Sequence, residues 1–269
     1  QFKAVLGLRW DSFDLDFNDQ RPANADFARK DDFISPRLGL IWEPVSGLSL
    51  YAGWSKAYLP QSGEQFNSLT ATSAALEPEE FENAEVGLRW QPAQNLLVSA
   101  ALYRLDRTNT IAPGPVAGTA VLTGSQRSEG LELAVQGQVR DGWNIIGAMA
   151  FQDAEITSTT NAAPAGRSVP LVPEFSASLW NRVRVTDRID VALGVIHQGD
   201  QFATISNAVL LPAYTRLDAA VFYRLSDTID VQINVENLAD EDYWFTAHSD
   251  NNITPGSPTA VRLGLSARF

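Results

Sequence analysis

The sequence has no cysteine among its 269 residues, so neither a disulfide framework nor a thiolate metal site can form. Histidine is almost as scarce. His197 and His248 are the only two; no Glu-x-x-His pattern surrounds them and no Gly-x-Ser-x-Gly elbow occurs, so no catalytic constellation is expected. Positive charge is in deficit, with 20 Lys and Arg against 32 Asp and Glu and a net charge of −12. Nucleic acid and acidic membrane surfaces are therefore not expected partners. Long apolar runs are missing too: nothing approaches the ~18 consecutive apolar residues of a transmembrane helix. No signal peptide is visible, and the chain starts at Gln1, without Met, already inside a strand-like pattern. We read that as a mature or truncated product. A mean hydropathy of −0.12 argues against a helical membrane protein. It is compatible with a membrane barrel, whose lumen face and loops are polar.

What recurs is period 2. Candidate strands fall at 1–14, 34–43, 48–59, 80–91, 95–110, 126–140, 143–156, 173–186, 189–200, 212–225, 228–240 and 257–269. Tight turns join some of them: Glu43 to Gly47, Gln91 to Gln94, Arg140 to Gly142, Thr186 to Arg188 and Ser226 to Thr228. Each carries Pro, Gly, Asn, Asp or Ser where a hairpin needs them. Between the turns lie long polar connections at 15–33, 60–79, 111–125, 157–172, 201–211 and 241–256. The strict interleaving puts every turn at one end of the strands and every loop at the other. Soluble sandwiches mix loop lengths at both ends; outer-membrane barrels have short periplasmic turns and long extracellular loops. Many segments also reach the ~9–11 residues that cross a bilayer.

The two faces can be assigned by alternation. Leu88, Leu131, Leu133, Val221, Val231, Ile233, Leu263 and Leu265 are expected to face lipid. Arg89, Glu132, Arg224, Gln232, Glu236, Arg262 and Arg268 are expected to face a lumen. Charges of both signs at mid-strand argue against a sandwich core, where an unpaired buried charge costs several kcal/mol. Trp10, Trp42, Trp54, Trp90, Tyr103, Trp143, Tyr223 and Phe269 gather near strand ends, as interfacial girdles require. The final strand alternates through Val261, Leu263, Leu265 and Ala267 to Phe269 at the last position. The fold expected is all-β: an antiparallel up-and-down transmembrane β-barrel domain over residues 1–269, with about twelve strands.

Several segments then resemble a known family. Leu211-Pro212-Ala213-Tyr214-Thr215-Arg216-Leu217-Asp218 and Val235-Glu236-Asn237-Leu238-Ala239-Asp240-Glu241-Asp242-Tyr243 are similar to the closing strands of TonB-dependent outer-membrane receptors. Asn251-Asn252-Ile253-Thr254-Pro255-Gly256-Ser257-Pro258 resembles the siderophore-receptor branch, with Ser257 and Thr259 departing from its Pro-Gly-Ala-Pro-Arg-like segment. Trp54 to Pro60, Leu76 to Glu79 with Glu85-Val86-Gly87, Ser128 to Glu132 and Val169 to Pro173 match in the same order. The resemblance implies a 22-stranded barrel filled by an N-terminal plug. It implies uptake of a ferric siderophore at the bacterial outer membrane, energised through TonB, without a cofactor or enzymatic activity. About twelve strands with no plug or coupling segment look like the C-terminal part of such a receptor. The implied partners are the ferric siderophore, outer-membrane lipid and lipopolysaccharide, the barrel-assembly machinery, and TonB through the missing N-terminal region. Two other readings stay open: a self-contained twelve-stranded passive pore for small solutes, and a soluble β-sandwich binding module.

A ferric siderophore is a bulky chelate, and aromatics with a few polar groups in a concave mouth suit it. Tyr58, Phe66, Arg127, Phe202, Tyr243, Trp244, Phe245 and His248 form the candidate set at the loop end, with Trp244 and Phe245 foremost. The alternative for that pair is an interfacial girdle; for Arg127 it is a lumen ion pair with a neighbouring carboxylate. Acidic groups such as Asp240, Glu241 and Asp242 lack EF-hand spacing, and no metal site is assigned. In the resembling family, the terminal aromatic, here Phe269, is read by the assembly machinery.

Overall fold

A computed structural model describes residues 1–18, 26–60, 77–113, 120–160 and 163–268. In chain order the strands are β1 (Phe2–Phe17), β2 (Phe27–Val45), β3 (Leu48–Leu59), β4 (Glu79–Ala93), β5 (Leu96–Pro113), β6 (Ala120–Arg140), β7 (Trp143–Ile156) and β8 (Phe175–Arg184). They continue as β9 (Ile189–Gln198), β10 (Gln201–Phe202), β11 (Leu210–Leu211), β12 (Tyr214–Arg224), β13 (Ile229–Glu236), β14 (Trp244–Ser249), β15 (Asn252–Pro255) and β16 (Ala260–Ala267). Twelve of them form one antiparallel sheet in the order β1-β2-β3-β4-β5-β6-β7-β8-β9-β12-β13-β16. Every neighbour is the preceding barrel strand in sequence, the up-and-down order the turns predict. The short hairpins β10-β11 and β14-β15 sit inside long connections.

Two of the open readings fail here. A sandwich needs two sheets packed over a core, and the twelve strands form a single sheet. A self-contained twelve-stranded ring needs its first and last strands to pair, and β1 and β16 are the two edges of the sheet instead. Their outer backbone groups therefore call for further strands before the sheet can sit in lipid.

The register makes the faces explicit. Leu88 stands opposite Leu50 and Ala100, Leu133 opposite Ala100 and Met149, and Ile233 opposite Val221 and Leu263. The eight residues expected to face lipid all lie on this face, and the seven expected to face the lumen lie on the other. Large aliphatics stand open on it, Leu6 at 80% and Leu263 at 75% of full exposure. In water that would be an association surface; against acyl chains it is solvation. On β1 the apolar positions run from Phe2 to Trp10, and on the paired β2 from Trp42 to Ile34. Eight residue steps at about 3.3 Å each give roughly 26 Å along the strand. A tilt of about 40° leaves roughly 20 Å across the bilayer, close to the ~25 Å band of outer-membrane barrels.

Strand boundaries differ from the periodicity where the strands pass beyond that band. The segments 15–33 and 111–125 read as loops, yet β1 and β2 stay paired out to Phe17 and Phe27, and β5 and β6 to Pro113 and Ala120. Above the lipid an outward side chain has no reason to be apolar, so the alternation ends before the ladder does. At the opposite end Gly47 turns the chain with φ of 82°. A Cβ there would lie 2.9 Å from the Gln91 carbonyl oxygen, a contact no other side chain avoids.

Both buried hydrophobic clusters of the described residues lie at the loop end. One joins Ile156, Ala163 and Ile205; the other joins Ala203, Leu211 and Ala247.

Candidate functional site at the loop end

The lumen face carries charge throughout, and most of it is matched. Arg182 meets Asp190 at 2.7 Å, Arg268 meets Asp230 at 2.8 Å and Arg262 meets Glu236 at 3.3 Å. Tyr51 donates its hydroxyl to Glu85. Facing water, such pairs contribute little stability each; their effect is to keep the inner wall polar without a dominant field.

Towards the loops these contacts converge on Arg216, which sequence reasoning did not single out. One nitrogen, Nη1, donates to Glu236 Oε1 and to the Tyr243 hydroxyl, both at 2.9 Å, while Nη2 donates to Asp218 at 2.9 Å. The Tyr243 ring stacks on Tyr214 with centroids 4.3 Å apart, and a Cβ on Gly256 would strike that ring. Tyr243 is thus buried and spoken for. It fastens the last loop to the wall and is not a free ligand surface. The one signal available in advance was an arginine at an inward position two residues from an inward Asp.

Next to it the Asn237-Leu238-Ala239-Asp240 stretch forms a knot. Asn237 is fully buried with φ of 53°, and Asp240 has φ of 51°, the left-handed region that Asn and Asp tolerate best. Asn237 Oδ1 accepts from the Glu241 amide at 2.9 Å; Nδ2 donates to the carbonyls of Glu241 at 2.9 Å and Ser257 at 3.0 Å. Asp240 Oδ1 accepts from the Thr259 amide at 3.0 Å and from its hydroxyl at 3.1 Å. Those donors, the backbone amide first, hold the Asp240 carboxyl below the usual aspartate range. This explains why β13 stops at Glu236 rather than near residue 240.

The candidate set divides. Trp244, Phe245 and His248 are exposed on β14, with Phe202 half-buried on the adjacent hairpin β10-β11. Arg127 is a correction. It does pair with a carboxylate, Asp106, at 2.8 Å, but on the outward face: its neighbours there are Leu131 and Leu133 two and three steps along the alternation. Lys56, Glu82, Asp106, Arg127 and Glu155 form one row across β3 to β7, directly beyond the apolar band. Tyr58 follows Trp54 and Lys56 on that side, with Lys56 5.7 Å from its ring centroid and Phe33 stacked on it at 5.0 Å. Phe66 and Phe269 lie outside the described residues. Among the described residues no group of three metal-ligating side chains occurs. His197 also faces outward, opposite Ala177 and Thr215, with its ring tilted against Phe175 at 5.5 Å between centroids.

A single up-and-down sheet with an exposed apolar band, a polar inner wall and long loops at one end defines a transmembrane β-barrel segment of outer-membrane type. The family model for the TonB-dependent receptor-like β-barrel matches residues 1–238, and the chain belongs to that family. Its members are transporters of the outer membrane, not enzymes. The siderophore receptor PiuA of Acinetobacter baumannii is 26% identical over 98% of this chain, which covers 38% of PiuA. The two structures superpose with a TM-score of 0.87 over 100% of this chain and 41% of the PiuA chain. The catecholate siderophore receptor Fiu of Escherichia coli K12 is 29% identical over 91% of this chain and 34% of its own length; its closed form gives a TM-score of 0.85. The metal-pseudopaline receptor CntO of Pseudomonas aeruginosa is 27% identical over 100% of the chain and 39% of its own. The chain thus spans about two-fifths of the length of the curated relatives it matches.

Proposed function

We propose that this chain is the C-terminal part of a 22-stranded outer-membrane receptor that takes up a ferric siderophore, with energy delivered through TonB to a plug and coupling segment encoded ahead of it. The observation that carries this reading is the similarity to PiuA over 98% of the chain, which takes in the loops as well as the strands. The unpaired edges of β1 and β16 support it, since a barrel in lipid leaves no edge open. The ligand-contacting side chains would be Trp244, Phe245, His248 and Phe202, and Phe66 belongs to the proposed set. Tyr243 acts by holding the loop, Arg127 is on the outward side, away from the mouth, and Tyr58 packs on Phe33 where β2 and β3 no longer pair.

The polar row from Lys56 to Glu155 lies where lipid acyl chains give way to headgroups, which supports lipopolysaccharide as the surrounding partner of the outer wall. For the assembly machinery the supporting feature is the regular apolar alternation of β16 leading to Phe269. A Phe269→Asp variant of the whole receptor should reach the outer membrane at a several-fold lower level; wild-type levels would remove that role.

The functional test is uptake of a panel of ⁵⁵Fe-labelled siderophores by iron-starved cells with and without the gene, before and after collapse of the proton-motive force. The expected result is gene-dependent, energy-dependent uptake of at least one chelate. The similarity to CntO favours a second reading of the cargo, a metal chelate other than a ferric one, and the same cells tested with nickel, zinc and cobalt chelates decide between them.

A further inference from the structure

Surface loops are normally the least stable parts of a protein and move independently. Three loops at the outer end of this chain are built otherwise: the β7–β8 loop, described at 157–160 and 163–174, the β9–β12 loop at 199–213, and the β13–β16 loop at 237–259. Their apolar side chains are shared. Ala163 and Val169 of the first pack on Ile205 of the second. Leu171 of the first, Leu211 of the second and Ala247 with Ile253 of the third meet in one cluster.

The polar contacts cross the same boundaries. Arg167 Nη1 donates to the Ile205 carbonyl at 3.1 Å, and the Leu171 amide donates to the Phe202 carbonyl at 2.9 Å. Asn207, at φ of 52°, accepts from the Ser168 amide at 2.9 Å and donates to its carbonyl at 3.1 Å. The third loop is tied in by Asp250. One of its carboxylate oxygens accepts from the Thr204 hydroxyl and the other from the Ser206 hydroxyl, each at 2.8 Å. Thr204 is fully buried, so its hydroxyl has no water to turn to.

We propose that these three loops form one preassembled cap, locked through Asp250 and fastened to the barrel wall by the Arg216–Tyr243 contact, and that the cap is a fixed side of the mouth rather than three independent lids. Elements that share a buried core open together, because separating any one exposes the apolar surface of the others. Ligand entry and retention then fall to movement of the remaining loops relative to this wall. The part of the proposal that concerns ligand entry rests on the receptor reading above; the part that concerns the cap does not.

Hydrogen exchange on the folded protein in detergent tests the cap directly. In the wild type, the Leu171 and Ala203 amides, which lie on different loops, should exchange through one opening with a common denaturant dependence. Asp250→Ala, in the third loop, should speed both by at least tenfold. Separate denaturant dependences, or acceleration confined to 237–259, would overturn the proposal. If Asp250→Ala fails to fold, the double variant Thr204→Val, Ser206→Ala cuts the same two bonds from the second loop and should release residues 237–259 equally.

The fixed wall is tested in cells with the full receptor. This chain has no native cysteine, so once any cysteine outside it is replaced, Ser206→Cys with Asp250→Cys can be joined selectively by a short thiol-reactive reagent. Uptake should stay within twofold after joining, and a loss of uptake restored by a cleavable linker would overturn the fixed wall. Absence of uptake in the wild-type receptor would count against the receptor reading alone, with exchange still deciding the cap.

Discussion

Leu133 sits on the outward face of β6, opposite Ala100 on β5 and Met149 on β7, with Leu131 and Val135 as same-face neighbours along its own strand. Replacing it by arginine places a guanidinium among these apolar groups. The first outward polar position above it is Glu129, four residues along the strand. At about 3.3 Å per residue that is roughly 13 Å, farther than the side chain reaches to bring its charge to the headgroups. An arginine near the midplane of a β-barrel costs about 2–4 kcal/mol. At about 1.4 kcal/mol per tenfold, the equilibrium constant for folding into lipid should fall by roughly 30- to 700-fold. Gln136→Arg is the control. Gln136 lies on the same strand but on the inner face, opposite Leu97 and Ile146, where water is available, so its cost should stay within about 0.5 kcal/mol. Both are measured by urea titration of the full-length receptor refolded into bilayers. Equal penalties at the two positions would refute the face assignment and the membrane boundary built on it.

Three further outcomes follow from the loop end. Asn237→Ala removes three side-chain hydrogen bonds from a fully buried, left-handed position; it should destabilise the β13–β16 loop by about 2–4 kcal/mol and open residues 237–259 to protease while the sheet persists. The Asp240 contact with Thr259 should be complete at neutral pH. Because the folded carboxyl titrates below the ordinary value of 3.8, the contact is favoured above that pH and lost as pH falls through the depressed value. Protection of the Thr259 amide relative to the intrinsic exchange rate at the same pH should therefore fall on acidification, and Asp240→Asn should flatten that dependence. Trp244→Ala with Phe245→Ala should weaken chelate binding by roughly tenfold or more without changing the amount of receptor in the membrane; unchanged affinity would relegate the pair to an exposed girdle.

Period 2 located all twelve barrel strands because one face meets lipid along nearly its whole length, so each residue reports its side. It failed at the outer ends of β1, β2, β5 and β6, where both faces meet water and Asp14 opposite Lys30 is as good a strand pair as any apolar couple. The loops were less legible. Trp244 and Phe245 were visible as adjacent aromatics, and they are exposed as that pattern suggests. Tyr243, one residue earlier, has the same composition signal but is claimed by Arg216 and Tyr214, contacts set by strands distant in sequence. Arg127 faces outward although its charge alone suggests the lumen. Above the lipid band a charge carries no such information, and only the count from Leu131 settles its face.

Burial of apolar side chains away from all solvent is concentrated in the loop clusters around Ile205 and Leu211, while the sheet leaves its apolar surface in contact with lipid. The two parts of one chain therefore answer to different solvents as temperature changes. Removing apolar surface from water carries a large heat-capacity change, and its driving force weakens on cooling. The sheet, held by backbone ladders in a medium that does not compete for hydrogen bonds, has no comparable term. On chilling, the loop end should lose order while the strands keep theirs, and on heating it should soften well before the strands part. A calorimetric trace of the receptor in detergent should accordingly resolve a small, low-temperature transition with a heat-capacity step, separate from the main barrel transition.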